Sequence, residues 1–117
     1  MLIQVLKSKL KKVIVTDANT EYEGSITLDP LLMNEANIYP FERVEVNAVD
    51  GGSRIVTYAI PGKEGSGQVE LNGGAANFFT KGQYVHVNCF ALIEELKIHP
   101  DEFPIIVKTD ENNKVID

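Results

Sequence analysis

Short apolar segments with a period of two, broken by glycine-containing turns, constrain this chain more than any other feature of its sequence. Val13 and Val15 alternate with Ile14 and Thr16, Val44, Val46 and Ala48 with Glu45 and Asn47, and Val85 and Val87 with Tyr84, His86 and Asn88. Side chains two apart share one face of a strand, so each segment predicts a strand with one buried face. Residues 41–49 and 53–60 read as two strands joined through Asp50, Gly51 and Gly52, where an acidic residue and two glycines suit the positive φ angles of a tight hairpin. Further turns are expected at 61–67, 73–74, 81–82 and 110–113. Six or seven short strands in 117 residues point to a small closed barrel or a sandwich, in one domain spanning 1–117.

Helix signals are sparse. One helix is predicted over 30–36, with Asp29 as its cap, Pro30 at the first helical position and Asn37 at its end. It is short enough to depend on packing. A second helical turn is expected over 91–97, a strand over 104–108, and an acidic tail that is mobile at its end.

Charge and cysteine usage exclude several functions. Lys and Arg number 11 against 17 Asp and Glu, a formal net charge of -6, which disfavours a broad grip on nucleic acid or an anionic membrane. An acidic substrate needs a local basic pocket. Cys89 is the single cysteine, so there is no intramolecular disulfide and no cysteine-rich zinc site. The first twelve residues place their lysines after the apolar residues and lack a small-residue cleavage site, unlike a secretory signal. No apolar run approaches the roughly 18 residues of a membrane span. A reducing, cytoplasmic location is expected.

The familiar catalytic inventories come up short. The histidines are His86 and His99, with no Ser-His-Asp spacing and no HExxH. His86 and Cys89 are three apart, so a straight strand points them to opposite faces, and structural roles are expected for both. The run Asn72-Gly73-Gly74-Ala75-Ala76 is a weak phosphate motif, lacking GxGxxG and a convincing helix after it. Gly24-Ser25 interrupts the strand-like stretch 22–27, and taken alone it reads as a bulge.

Taken together, Lys9, Tyr22-x-Gly24-Ser25, Arg54-x-x-Thr57-Tyr58 and Asn72-Gly73-Gly74-Ala75-Ala76 resemble the bacterial pyruvoyl-dependent aspartate 1-decarboxylases, at matching intervals and over nearly the whole chain. Leu6-Lys7-Ser8-Lys9, Val15-Thr16-Asp17-Ala18 and Gly24-Ser25-Ile26-Thr27-Leu28-Asp29 extend the likeness. The resemblance implies a mainly β fold, a six-stranded double-psi β-barrel with one or two short helices. It implies a homotetramer with active sites at subunit boundaries, and a maturation protein that assists some relatives. It further implies self-cleavage between Gly24 and Ser25 into a 1–24 β chain and a 25–117 α chain carrying a covalently bound pyruvoyl group made from Ser25, with neither metal nor pyridoxal phosphate.

The chemistry suits the residues. In a strained turn, Ser25 Oγ can attack the Gly24 carbonyl carbon, whose approach is open because Gly24 has no Cβ. The resulting ester loses its carboxylate by β-elimination, and hydrolysis of the dehydroalanine leaves pyruvoyl and ammonia. The resemblance implies that this ketone condenses with L-aspartate to create an electron sink for decarboxylation to β-alanine, a supply for pantothenate and coenzyme A. The resemblance assigns Ser25 and Tyr58 to catalysis, with Tyr58 as proton donor, and Gly24, Ser25 and Thr57 to self-processing. It assigns Lys9, Arg54, Thr57, Asn72, Gly73, Gly74 and Ala75 to substrate binding, with Tyr22 in a supporting role.

Departures from the family pattern occur at Lys11, where many members have histidine, at Gly74, where alanine is usual, and at Gln83, where the usual pair is Gly-Asp; residues 77–79 are also less polar than expected. Two other readings stay open: a decarboxylase of another small acidic amino acid such as glutamate, and a non-catalytic barrel that serves as a binding module.

Overall fold

The computed structural model describes residues 1–116. In chain order its elements are β1 (Leu2–Ile14), β2 (Asp17–Asn19), β3 (Ser25–Leu28), α1 (Pro30–Ala36), β4 (Arg43–Ala48), β5 (Arg54–Pro61), β6 (Val69–Asn72), β7 (Tyr84–Glu94), β8 (Ile105–Thr109) and β9 (Val115–Ile116), with 3₁₀ turns at Gly73–Phe78 and Glu95–Lys97. Hydrogen-bonded neighbours run β2-β6-β3-β5-β4-β7-β1-β8-β9. Parallel pairs (β1/β8, β2/β6, β3/β5) mix with antiparallel ones. The chain is therefore mainly β, and consistent with the double-psi architecture. It differs in having nine strands rather than six, and the order is open: among the described residues no ladder joins β2 to β9. Part of the excess comes from β2 and β9, only three and two residues long.

Alternation works where one face packs inward. Val44 and Val46 of β4, Val85 and Val87 of β7 and Leu10 of β1 enter one core with Ile26, Leu28, Leu32, Leu71 and Val107. β3 departs from alternation, because all four of its residues are buried between β5 and β6. α1 forms as predicted. The Asp29 carboxylate accepts from Leu31 N at 2.9 Å, and Asn37 ends the helix at φ 54°. Asp29 also accepts from the N–H groups of Gly65 and Gly67, fastening the 61–67 turn to the helix. Burial works to raise its pKa, but these three hydrogen bonds and the charge of Lys114 outweigh it and hold the carboxyl below its ordinary value.

Several elements differ from the sequence reading. β1 begins at Leu2 and stops at Ile14, so Val15 and Thr16 lie beyond it, donating instead to Gln83 and Val69 carbonyls. Of the two hairpin glycines, only Gly51 takes a positive φ, 88°. The segment expected to turn helical over 91–97 continues β7 through Glu94, because β1 pairs with it as far as Leu2 opposite Glu94. Only Glu95–Lys97 turns. The tail pairs with β8 as β9 and is pinned by buried Asn113, whose Nδ2 donates to the Ile14 and Gly67 carbonyls; Asp117 lies outside the described residues. No helix among the described residues is long and apolar enough to cross a membrane.

Candidate active site

Residues 20–24 form a turn that delivers Ser25 to the first position of β3. Ser25 lies opposite Asn72 of β6 in the antiparallel ladder, and both are 3% exposed. Asn72 Nδ2 donates to Ser25 Oγ at 3.0 Å and to Thr27 Oγ1 at 2.8 Å. Thr27 shares this face because it is two residues on. With Asn72 donating to it, Ser25 Oγ keeps its own hydrogen for another acceptor, and the Glu23 carbonyl at 3.5 Å is a weak one. Asn72 Oδ1 is buried without a partner, on a residue that lines the Ser25 cleft.

Gly73 holds the turn from beneath. Its φ is +64°, and a Cβ there would lie 2.5 Å from Gly24 N, 2.6 Å from Tyr22 O and 2.8 Å from the Glu23 carbonyl carbon. Only glycine lets the backbone after β6 approach the 22–24 segment this closely. Gly74 is different: a Cβ there meets nothing within 4 Å. The run after Asn72, expected to turn at 73–74, makes a 3₁₀ turn over Gly73–Phe78.

Two clefts meet at Tyr58. One, of about 590 Å³, is lined by Tyr22, Ser25, Thr27, Phe41, Tyr58 and Asn72, together with Glu23, Ile60, Gln68 and Glu70. The other is lined by Gly24, Thr57, Tyr58, Gly74 and Ala75, with Ile55, Val56 and Phe78. Nine of the eleven residues that the sequence singled out thus surround the Gly24–Ser25 bond: Tyr22, Gly24, Ser25, Thr57, Tyr58, Asn72, Gly73, Gly74 and Ala75. Lys9 and Arg54 do not. They line a third cleft, with Glu45, Asn47, His86, Asn88 and Phe90, that shares no lining residue with the other two.

Alternation and pairing build that third cleft. His86 of β7 lies opposite Asn47 of β4, which lies opposite Arg54 of β5. One row along, Lys9 of β1 faces Asn88, and Asn88 faces Glu45. Asn47 Oδ1 and Asn88 Oδ1 are buried without partners. A bulge in β1 between Leu10 and Val13 leaves Lys12 at φ 56°, and its N–H donates to His86 Nδ1 at 3.1 Å. Burial and the charges of Lys9, Lys12 and Lys11 hold the imidazole below its ordinary pKa.

Phe41 and Glu42 escaped sequence reasoning. Phe41 takes φ 70° and stacks obliquely on Tyr58, ring centroids 6.4 Å apart. Its neighbour Glu42 receives Lys7 Nζ at 2.8 and 3.0 Å, Cys89 Sγ at 2.9 Å and Tyr39 N at 2.9 Å. Burial raises the Glu42 pKa, yet the hydrogen bonds and the Lys7 charge leave it below its ordinary value. Cys89 is pushed up to about 12 by burial and by donating to Glu42, so it is an inert thiol. No local motif marks Phe41; its positive φ is a tertiary fact. Thr27, Gln68 and Glu70 follow from strand parity once β3 and β6 are known to pair.

The departures at Gly74, Gln83 and residues 78–79 are accommodated. Gly74 sits where alanine has room. Gln83 Oε1 accepts from Thr80 N at 3.1 Å, so an oxygen still closes that turn. Phe79 is 5% exposed and joins the core, while Phe78 borders the Thr57 cleft.

The family model for aspartate decarboxylase matches residues 1–116. An aspartate 1-decarboxylase of Caldicellulosiruptor saccharolyticus is 45% identical over 118 residues, covering 99% of this chain and 90% of its own. Those of Leptospira biflexa and Bacillus cereus are 42% identical, each covering 97% of this chain, and 97% and 88% of their own. Matched along its length by the family model and by these relatives, and carrying the Gly24–Ser25 turn walled by Tyr58 and Asn72, the chain belongs to the aspartate decarboxylase family.

Proposed function

We propose that this chain is a self-processing, pyruvoyl-dependent aspartate 1-decarboxylase that converts L-aspartate to β-alanine and carbon dioxide in the cytoplasm, for pantothenate and coenzyme A synthesis. The observation that carries the reading is Ser25: a buried serine directly after Gly24, its Oγ accepting from Asn72 Nδ2, at the edge of a cleft shared with Tyr58.

Processing needs no outside reagent but water. Ser25 Oγ bonds to the Gly24 carbonyl carbon while the Gly24–Ser25 C–N bond breaks, giving an ester and a free Ser25 amine. Loss of the Ser25 α-proton expels the Gly24 carboxylate. Water then replaces the nitrogen, which leaves as ammonia, and the products are a 1–24 β chain and a 25–117 α chain. In this reading Asn72 Nδ2, which donates to Ser25 Oγ, steadies charge on that oxygen, and Thr57 borders the same turn.

The residues fit a pyruvoyl group at position 25: Gly24 precedes Ser25, Thr27 and Asn72 line the same cleft, and Asn72 Oδ1 lacks a partner. When formed, that group supplies the electron sink for loss of a carboxylate. The chain's own residues do the rest. The Tyr58 phenol donates the proton, Gly73, Gly74 and Ala75 offer backbone N–H groups to the substrate, and Tyr22 closes the wall.

Charge argues that a second copy completes the site. The charged residues lining the Ser25 cleft are Glu23 and Glu70, with no Lys or Arg, and a dicarboxylate is repelled there. Lys9 and Arg54 supply the missing cations if their face docks against the Ser25 cleft of a neighbouring subunit. Tyr22, Phe41 and Phe78, 61, 74 and 57% exposed, border the Ser25 and Thr57 clefts and suit burial in such a homotetramer. A maturation protein that speeds cleavage is compatible with this arrangement; nucleic acid and membrane partners are not part of it.

Intact mass spectrometry tests the reading. Fragments 1–24 and pyruvoyl-bearing 25–117 are expected, with carbon dioxide release from L-aspartate, and Ser25→Ala should stay whole and folded. A single uncut chain after prolonged warming would refute it, and faster turnover of glutamate would overturn the substrate.

A further inference from the structure

We propose that His86 is a third substrate-binding residue on the Lys9–Arg54 face, donating its Nε2 hydrogen to a carboxylate oxygen of the dicarboxylic substrate. The inference rests on the reading above, in which this face completes the site of a neighbouring copy.

Position comes first. His86, Asn47 and Arg54 are direct partners across β7, β4 and β5, and Lys9, Asn88 and Glu45 form the next row, so one sheet face carries them all. The opposite face turns Val44, Val46, Val85 and Val87 into the core. His86 is therefore not a core histidine, as strand parity alone shows. It is half-buried in the cleft that Lys9 and Arg54 line. Arg54 lies two strand spacings away, about 10 Å, a span that long cationic side chains close around a small dianion.

The second point is the proton. Lys12 N–H donates to Nδ1, so the neutral ring carries its hydrogen on Nε2. That tautomer leaves a single donor, and among the described residues no hydrogen bond consumes it. The N–H that sets the tautomer is freed by the β1 bulge at Lys12, which ties the histidine to the strand that carries Lys9. Asn47 Oδ1 and Asn88 Oδ1, both buried and unpartnered beside it, are further polar atoms awaiting a ligand, water or partner.

Third is charge. The groups facing His86 are Lys9, Lys11 and Lys12 from β1, Arg54 from β5 and Glu45 from β4. The lysines and burial keep the ring neutral, so it binds an anion as a dipole and adds no repulsion to the cations. A bound carboxylate offsets those lysines and raises the imidazole pKa. Binding then takes up a proton as pH falls, and KM for aspartate should fall toward acid pH.

The test uses self-cleaved enzyme with His86→Ile and His86→Gln, the glutamine keeping a donor near the Nε2 position. Cleavage is followed by intact mass and turnover by carbon dioxide release. His86→Ile should cleave normally and raise KM for L-aspartate about tenfold or more, as loss of a hydrogen bond to a charged group implies, with kcat changed less than about twofold. His86→Gln should keep KM within about threefold of wild type at pH 7.5 yet lose the fall in KM toward acid pH, because its amide does not titrate. A KM for His86→Ile within about twofold of wild type would overturn the assignment and leave the decarboxylase reading standing. Failure of cleaved wild-type enzyme to turn over aspartate would overturn both.

Discussion

Gly73→Ala offers a direct test of how the scissile turn is held. At φ +64° an alanine costs roughly 1 kcal/mol more than glycine, because its Cβ crowds its own carbonyl. The larger effect is a clash with backbone about fifty residues away in sequence. The new Cβ would stand 2.5 Å from Gly24 N, 2.6 Å from Tyr22 O and 2.8 Å from the Glu23 carbonyl carbon, all backbone atoms that cannot rotate aside. Ordinary contact lies near 3.5 Å, so the 22–24 segment must retreat by about 1 Å, and such overpacking costs about 1–3 kcal/mol. A displacement of that size at a reacting bond slows reaction about a hundredfold. Gly73→Ala should therefore lower stability by about 2–4 kcal/mol and slow appearance of the 25–117 fragment about a hundredfold, read by an intact-mass time course with circular dichroism to confirm folding. Gly74→Ala is the control. Its Cβ meets nothing within 4 Å and its φ is not left-handed, so cleavage should proceed at the wild-type rate with stability raised by about 0.4–1 kcal/mol. Cleavage of Gly73→Ala within about threefold of wild type would refute the argument that this contact sets the position of the scissile bond.

Lys7→Met removes both Nζ contacts to the half-buried Glu42 and should cost about 2–4 kcal/mol at pH 7, read as a fall in Tm at fixed protein concentration. Because the folded Glu42 pKa lies below its ordinary 4.5, the stability it contributes is full above that value and lost as pH falls through the folded pKa; the gap between wild type and variant should narrow at low pH, and a constant gap between pH 3 and 7 would count against the ion pair. Mixed oligomers of Arg54→Ala and Ser25→Ala chains should recover decarboxylation that neither homo-oligomer has, since the first supplies a processed Ser25 and the second an Arg54. No recovery on co-assembly would mean that both groups act within one chain.

What could be read from the sequence was what neighbouring residues decide. α1 was legible because Asp29, Pro30 and Asn37 each act within a turn of the helix, and the β4–β5 hairpin because Gly51 lies between two alternating runs. β1 was not. Register shifts between Leu6 and Ser8 and between Leu10 and Val13 break its alternation, so its opening residues look like an irregular basic segment until β7 is laid beside them. The same pairing keeps residues 91–94 extended against a local leaning toward a helical turn. Gly73 was legible as a turn glycine, but its contact with Gly24 N joins residues nearly fifty apart.

The segment Arg54-x-x-Thr57-Tyr58 shows why a motif that is continuous in sequence need not be one site. Four residues along a strand span about 13 Å, and the parity that puts Arg54 and Tyr58 on one side of β5 does not bring them together. Arg54 stands where β5 meets Asn47, in the row that ends at His86, whereas Tyr58 stands where β5 approaches β3 and Ser25. The two carboxylates of aspartate are too close together to bridge that length of strand. In the proposed function, a strand bearing both residues serves one substrate with each end: Tyr58 for the site built on its own Ser25, and Arg54, with Lys9 and His86, for the site of a neighbour. The second subunit we propose would meet both the length of that strand and the two carboxylates, Glu23 and Glu70, that line the Ser25 cleft.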